Sequence, residues 1–136
     1  MTDFRFVTDD FAVSPQISTA DVAVAAARGF SLIVNNRPDG EAPGQPAGAA
    51  IEAAALAAGL DYLHIPVTGR PSAEQVEAMR KGVDGARGKV LAYCRSGTRS
   101  IVTWALGQDA HGGERASELL RLGAAAGYDL SAILSA

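Results

Sequence analysis

Five short apolar runs, "FRFV" (4–7), "FAVS" (11–14), "SLIV" (31–34), "YLHI" (62–65) and "KVLAY" (89–93), alternate with longer segments of helical character. The first two flank the turn Thr8-Asp9-Asp10 and predict a hairpin. Ser18 with Asp21, and Ser72 with Gln75, have the spacing of capping boxes that open helices. Gly29 would end the first helix. An alanine-rich helix is expected to run up to Gly59, and Val76, Met79 and Val83 share one helical face. From Ser100 the pattern is helical through "IVTWAL", and two further Ala- and Leu-rich helical segments separated by "GYDLS" are expected to finish the chain. Strands and helices alternating at this spacing predict a single α/β domain over residues 1–136, with a mostly parallel central sheet and helices on both faces. Ligands in such folds bind beyond the carboxyl ends of the strands.

The chain has 136 residues, of which 48% are hydrophobic and 20% charged, enough apolar material to close a core without metals or disulfides. A net charge of −3 argues against nucleic acid or an anionic membrane as a partner. The opening "MTDFRFVTDD" lacks the basic and apolar regions of a signal peptide, and no apolar run approaches the roughly 20 residues of a membrane helix. One cysteine cannot form an internal disulfide, so a cytoplasmic setting is expected. Two histidines and one cysteine make no metal-site pattern, and no cofactor is expected.

That single cysteine carries the chemistry. Cys94 follows the run "KVLAY" and precedes Arg95-Ser96-Gly97-Thr98-Arg99-Ser100 and a helix. A packing cysteine is not usually followed by six polar or glycine residues. A sulfur at a helix start faces unpaired N–H groups and the positive end of the helix dipole, and these favour the thiolate. A loop curled around it would form an anion nest, with Gly97 free to adopt positive φ. Arg99 can set its planar fork against two oxygens of a bound oxyanion. Arg95 would add charge to the substrate site, and Ser100 could donate a hydrogen bond to the sulfur. Ser96 and Thr98 complete the cradle. Arg37, just after a strand end, is a further candidate for binding an anionic substrate, with pairing to Asp39 or Glu41 as its structural alternative.

The segments "VSPQIS", "IVNNRPDGEAPGQP", "HIPV" and "YCRSGTRS" resemble the phosphatase-like domain of the β-lactamase-hydrolase-like protein family, from about Phe4 to about Leu106. This bacterial family is also labelled a sulfur transferase. The resemblance implies a fold of the dual-specificity protein tyrosine phosphatase type, with a cysteine cradle loop after the central strand. Some members are fused to a domain resembling persulfide dioxygenases, which implies work on sulfane sulfur.

Two activities share this loop. The tyrosine phosphatase signature places five residues between Cys and Arg and is usually preceded by His. Here four residues separate Cys94 from Arg99, and Tyr93 stands in the His position. The shorter loop resembles that of rhodaneses in length and chemistry. A phosphatase also needs a general acid, and "PVTGRPSAEQ", where the resemblance would put one, has no aspartate. Glu74 there fits a helix first turn, and Asp39 is the substitute candidate. The expected function is therefore sulfur transfer: Cys94 takes sulfane sulfur from a small anionic donor as a persulfide and passes it to an external thiol acceptor. The alternatives are hydrolysis of a phosphate ester through a phosphocysteine intermediate, and a non-catalytic anion-binding module. Arg70 is a weaker candidate for the pocket. His64 reads as a satisfied core or rim histidine rather than a catalytic base, His111 as a surface residue and Trp104 as core.

Overall fold

The computed structural model describes residues 2–110 and 116–134. Strands β1 (Arg5–Phe6), β2 (Phe11–Ser14), β3 (Phe30–Asn35), β4 (Asp61–His64) and β5 (Lys89–Tyr93) form one sheet in the order β1-β2-β5-β3-β4. The β1–β2 pair is antiparallel, the expected hairpin, and all other pairs are parallel. Helices α1 (Thr19–Ala27), α2 (Gly48–Ala57), α3 (Ala73–Asp84), α4 (Thr98–Ala110) and α5 (Ala116–Ala125) connect and cover the strands. None of the described helices is long and apolar enough to cross a membrane.

Both capping boxes form. The Ser18 side chain accepts the Asp21 N–H while the Asp21 carboxylate accepts the Ser18 N–H, and Ser72 with Gln75 repeats the arrangement. Past α1 the chain reverses through Gly29 at φ 87°, a left-handed conformation open to glycine at little cost. The sheet separates two apolar layers. One, beneath α1 and α2, is built on Ile33, Leu91, Ile51 and Val22. The other, beneath α3, α4 and α5, holds Val34, Ala92, Met79, Ile101, Leu119 and Trp104. Trp104 is core as expected, stacked on Phe11 at 4.9 Å between ring centroids.

Two sequence expectations are corrected. Helix α4 starts at Thr98 rather than Ser100, because the Gly97 carbonyl already accepts the Ile101 N–H at 3.0 Å. After "GYDLS" the chain makes a short turn, with Leu130 O accepting from Ile133 and Leu134, instead of a second helical segment. Tyr128, Leu130 and Leu134 are all buried there, and that side-chain spacing suits an extended strap closing over the core before a turn. His111 lies outside the described residues.

Strand register positions the site. Tyr93 at the end of β5 pairs with Ser14 at the end of β2 and with Asn35 at the end of β3, and Asn35 pairs with His64 at the end of β4. Four parallel strands therefore stop on one line. Their outgoing loops carry Gln16, Arg37, Val67 and Cys94 to a common edge.

Candidate active site

Cys94 leaves β5 at the middle of that edge, its N–H directed to Ser14 O at 3.4 Å. The chain then folds back on its own sulfur: Gly97 N–H donates to Cys94 Sγ at 3.1 Å. Gly97 stands at φ 95°, a conformation that favours glycine. A Cβ at this position would lie 2.1 Å from the Tyr128 hydroxyl oxygen, so the glycine is needed for space as well as for conformation. Ser96 Oγ accepts the Thr98 N–H at 3.3 Å and bonds Thr98 Oγ1 at 3.0 Å, tying the start of α4 to the loop. The sulfur thus lies at the N-terminus of a 13-residue helix, where the dipole favours negative charge.

Arg99 spans the cradle. One guanidinium nitrogen donates to Val67 O at 2.7 Å and to Glu41 Oε2 at 2.8 Å, and the other donates to Glu41 Oε1 at 2.8 Å. Arg37, only 4% exposed, donates from Nε to Glu41 Oε1 at 3.0 Å and from Nη1 to Gln16 Oε1 at 3.0 Å. Two arginines therefore hold one carboxylate. Arg99 foremost, then Arg37, pulls the Glu41 carboxyl down to about 2, against the opposing effect of partial burial. Glu41 in turn raises the affinity of Arg99 for its proton, and the nearby Cys94 sulfur adds to that effect. The Glu41 loop is braced by Gln45, which accepts the Glu41 N–H and donates to Pro38 O.

The other sequence-derived candidates divide. Arg37 joins the site, through the Glu41 pairing that was its structural alternative. His64 Nε2 lies 3.0 Å from Arg37 O, so Nε2 carries the proton and the ring serves the main chain as a satisfied rim group. Arg95 is exposed; its carbonyl is fixed by Gln16 N–H at 3.4 Å, but its side chain is not drawn into the cradle. Ser100 does not bond the sulfur. Its hydroxyl is buried with no partner among the described residues, and the donor to the sulfur is the Gly97 N–H. Asp39 Oδ1 accepts the Gly48 N–H at 2.8 Å and so caps α2, whose own N-cap, Ala47, supplies no side-chain bond. That is an anchoring role at the start of α2. Arg70 faces a groove with Pro71, Val76, Leu106 and Ala110, beside the far end of α4. Glu74 is an exposed first-turn residue of α3, as expected. The Tyr93 hydroxyl is buried beneath the sheet edge near Gln16 and Tyr62, and burial above all pushes its ionisation well above the usual range.

Cys94 itself has no exposed surface. The edge predicted from sequence is correct, but the sulfur lies buried there rather than open to a ligand.

A family model for the phosphatase-like domain of β-lactamase hydrolase-like proteins matches residues 3–111. The chain belongs to that family. A β-lactamase hydrolase-like protein of Xylella fastidiosa is 38% identical over 125 residues, covering 91% of this chain but 29% of the relative's length. The chain thus corresponds to under a third of that longer protein. Among solved structures, a candidate phosphatase of Neisseria meningitidis superposes with a TM-score of 0.84 at 34% identity, covering 97% of this chain and 94% of that one. A protein named Tk-PTP, solved in its active form, superposes with a TM-score of 0.65 at 26% identity, covering 88% of this chain and 81% of that one. The β-lactamase hydrolase-like domain is thus phosphatase-like in fold and in family. The comparisons favour the phosphatase-like alternative and lend nothing to sulfur transfer.

Proposed function

We propose that this domain is a cysteine-dependent phosphatase-like hydrolase of phosphate monoesters, with Cys94 as nucleophile and Arg99 as the oxyanion clamp. The observation that carries the reading is the Gly97 N–H aimed at Sγ from the start of α4, with the Arg99 fork alongside. The thiolate attacks phosphorus, the P–O ester bond breaks, and the leaving oxygen takes a proton from solvent water. Water then attacks the phosphocysteine, releasing phosphate and restoring the thiolate. Arg99 and the loop N–H groups hold the equatorial oxygens as negative charge redistributes.

The carboxylates near the site constrain the substrate. Glu41 is ionised at neutral pH and Asp39 is committed to α2, so neither offers a proton to the leaving oxygen. Aryl phosphates, whose leaving groups need little help, are therefore expected to turn over about 100-fold or more faster than alkyl phosphates, the scale of general-acid assistance. Cys94→Ser should abolish turnover of an aryl phosphate, and acid quench of the wild type should trap phosphate on Cys94. Comparable rates on aryl and alkyl phosphates would count against the missing acid. Turnover by Cys94→Ser would end the assignment.

Sulfur transfer is the second reading, favoured by the four-residue spacing between Cys94 and Arg99 and by the same lack of a placed acid. Here the thiolate attacks the outer sulfur of thiosulfate, the S–S bond breaks and sulfite leaves. An external thiol then takes the sulfur from the Cys94 persulfide and frees the thiolate. Intact mass after thiosulfate treatment decides: a cyanide-labile gain of one sulfur, absent in Cys94→Ser, favours transfer over hydrolysis.

A further inference from the structure

The Cys94 loop is gripped from a part of the chain that lies beyond the family match. Tyr128 follows α5, outside residues 3–111, and is buried. Its hydroxyl donates to Ser96 O at 2.8 Å. Ser96 C=O and Gly97 N–H are the two ends of one planar trans peptide unit and point in opposite directions. One end is held by Tyr128, and the other donates to Cys94 Sγ at 3.1 Å. Gly97 has no side chain to keep the phenol away, and Arg5 lies over the Tyr128 ring, 5.3 Å from its centroid.

We propose that Tyr128 is a positioning residue for the Cys94 nucleophile, holding the Ser96–Gly97 peptide so that its N–H points at the sulfur. The inference rests on Cys94 acting as a thiolate and adds the group that orients and strengthens its donor. A hydrogen bond accepted at a carbonyl polarises the amide and makes the N–H at its other end a better donor. A freed peptide could rotate about its flanking bonds and lose that alignment. Burial, its largest influence, raises the Tyr128 phenol above its ordinary value, so it stays a donor through neutral pH.

Because Cys94 is the only cysteine, carbamidomethylation of the whole chain by iodoacetamide reports on it alone: burial slows the reaction at every pH, and the pH midpoint of the rate follows the ionisation. No catalytic assay is involved. The wild-type rate should rise with pH as the thiolate forms. In Tyr128→Phe, which keeps the ring and its packing, the midpoint should move up by about one unit relative to wild type. The melting temperature of the variant reports any general loss of structure, which would not by itself move the midpoint. Should Tyr128→Phe fail to fold, Tyr128→Leu asks the same question, since it also removes the hydroxyl and leaves Gly97 untouched; the same upward shift is expected. An unchanged midpoint in a folded variant overturns the Tyr128 role and leaves Cys94 as the nucleophile. A wild-type rate that does not rise with pH overturns both.

Discussion

At Arg99 the guanidinium fork is already filled. Glu41 takes two charge-assisted bonds from it, in the geometry a bound oxyanion would use. Any substrate oxyanion that engages Arg99 must loosen that pair. Neutralising the competitor should therefore improve oxyanion binding: Glu41→Gln is expected to bind vanadate or phosphate about tenfold more tightly, as read by competitive inhibition. The size allows for the solvent that already screens this partly exposed pair. Weaker binding would instead mean that Glu41 chiefly orients Arg99. The pH dependence has a definite sign. The folded carboxyl titrates at about 2, against 4.5 unperturbed. The pair's contribution to stability is therefore full above about 4.5 and fades as pH falls towards 2. Urea denaturation of wild type and Glu41→Gln across that interval should give stabilities that converge on acidification. Cys94, Gly97 and Arg99 were legible in the sequence because they are contiguous and their chemistry is local. The pairing of Glu41 with Arg99 and of Tyr128 with Ser96 was not, because those partners lie 58 and 32 residues away and only the fold brings them together. Arg37 was legible as an edge residue, and pairing with Glu41 was one of the outcomes its neighbours allowed.

Among the secondary-structure elements, local signals were the most faithful. Both capping boxes formed where Ser-x-x-Asp and Ser-x-x-Gln stood, because the motif satisfies two backbone donors with no help from the rest of the chain. Ser72→Ala should cost about 1 kcal/mol, seen as a lower urea midpoint with an unchanged slope. The misplaced elements failed for tertiary reasons. The start of α4 is set by the return of the loop to Cys94, not by helix propensity. The residues after "GYDLS" close a turn onto Leu130 instead of a helix, and the stretch before them is used as a strap, with Tyr128 committed to Ser96 and Leu130 to the core. Leu130 lies against Gly123 of α5 so closely that a Cβ there would fall 2.6 Å from Leu130 Cδ1.

For the molecule as a whole, alternation of strands and helices was enough to give a mostly parallel sheet, since right-handed crossovers leave few other arrangements. The strand order was not readable from pattern alone: β5, last in sequence, is inserted between β2 and β3. That insertion places the cysteine loop between the loops that bring Gln16 and Arg37. The strap completes the layer beneath α3, α4 and α5, so stability and site geometry share a component. Ending the chain after Gly127 removes the buried Tyr128, Leu130 and Leu134 and should cost several kcal/mol, at about 1.5–3 for each fully buried large side chain. Chemical denaturation would measure the loss, and a truncated chain as stable as the full one would show that the strap is ornamental to the core. The burial of Cys94 has a further chemical consequence. Within this chain no second thiol exists to rescue the sulfur once peroxide has converted it to a sulfenic acid, and the next oxidation step is in general irreversible. A sulfur with no surface of its own is thereby shielded from peroxide for as long as this arrangement holds.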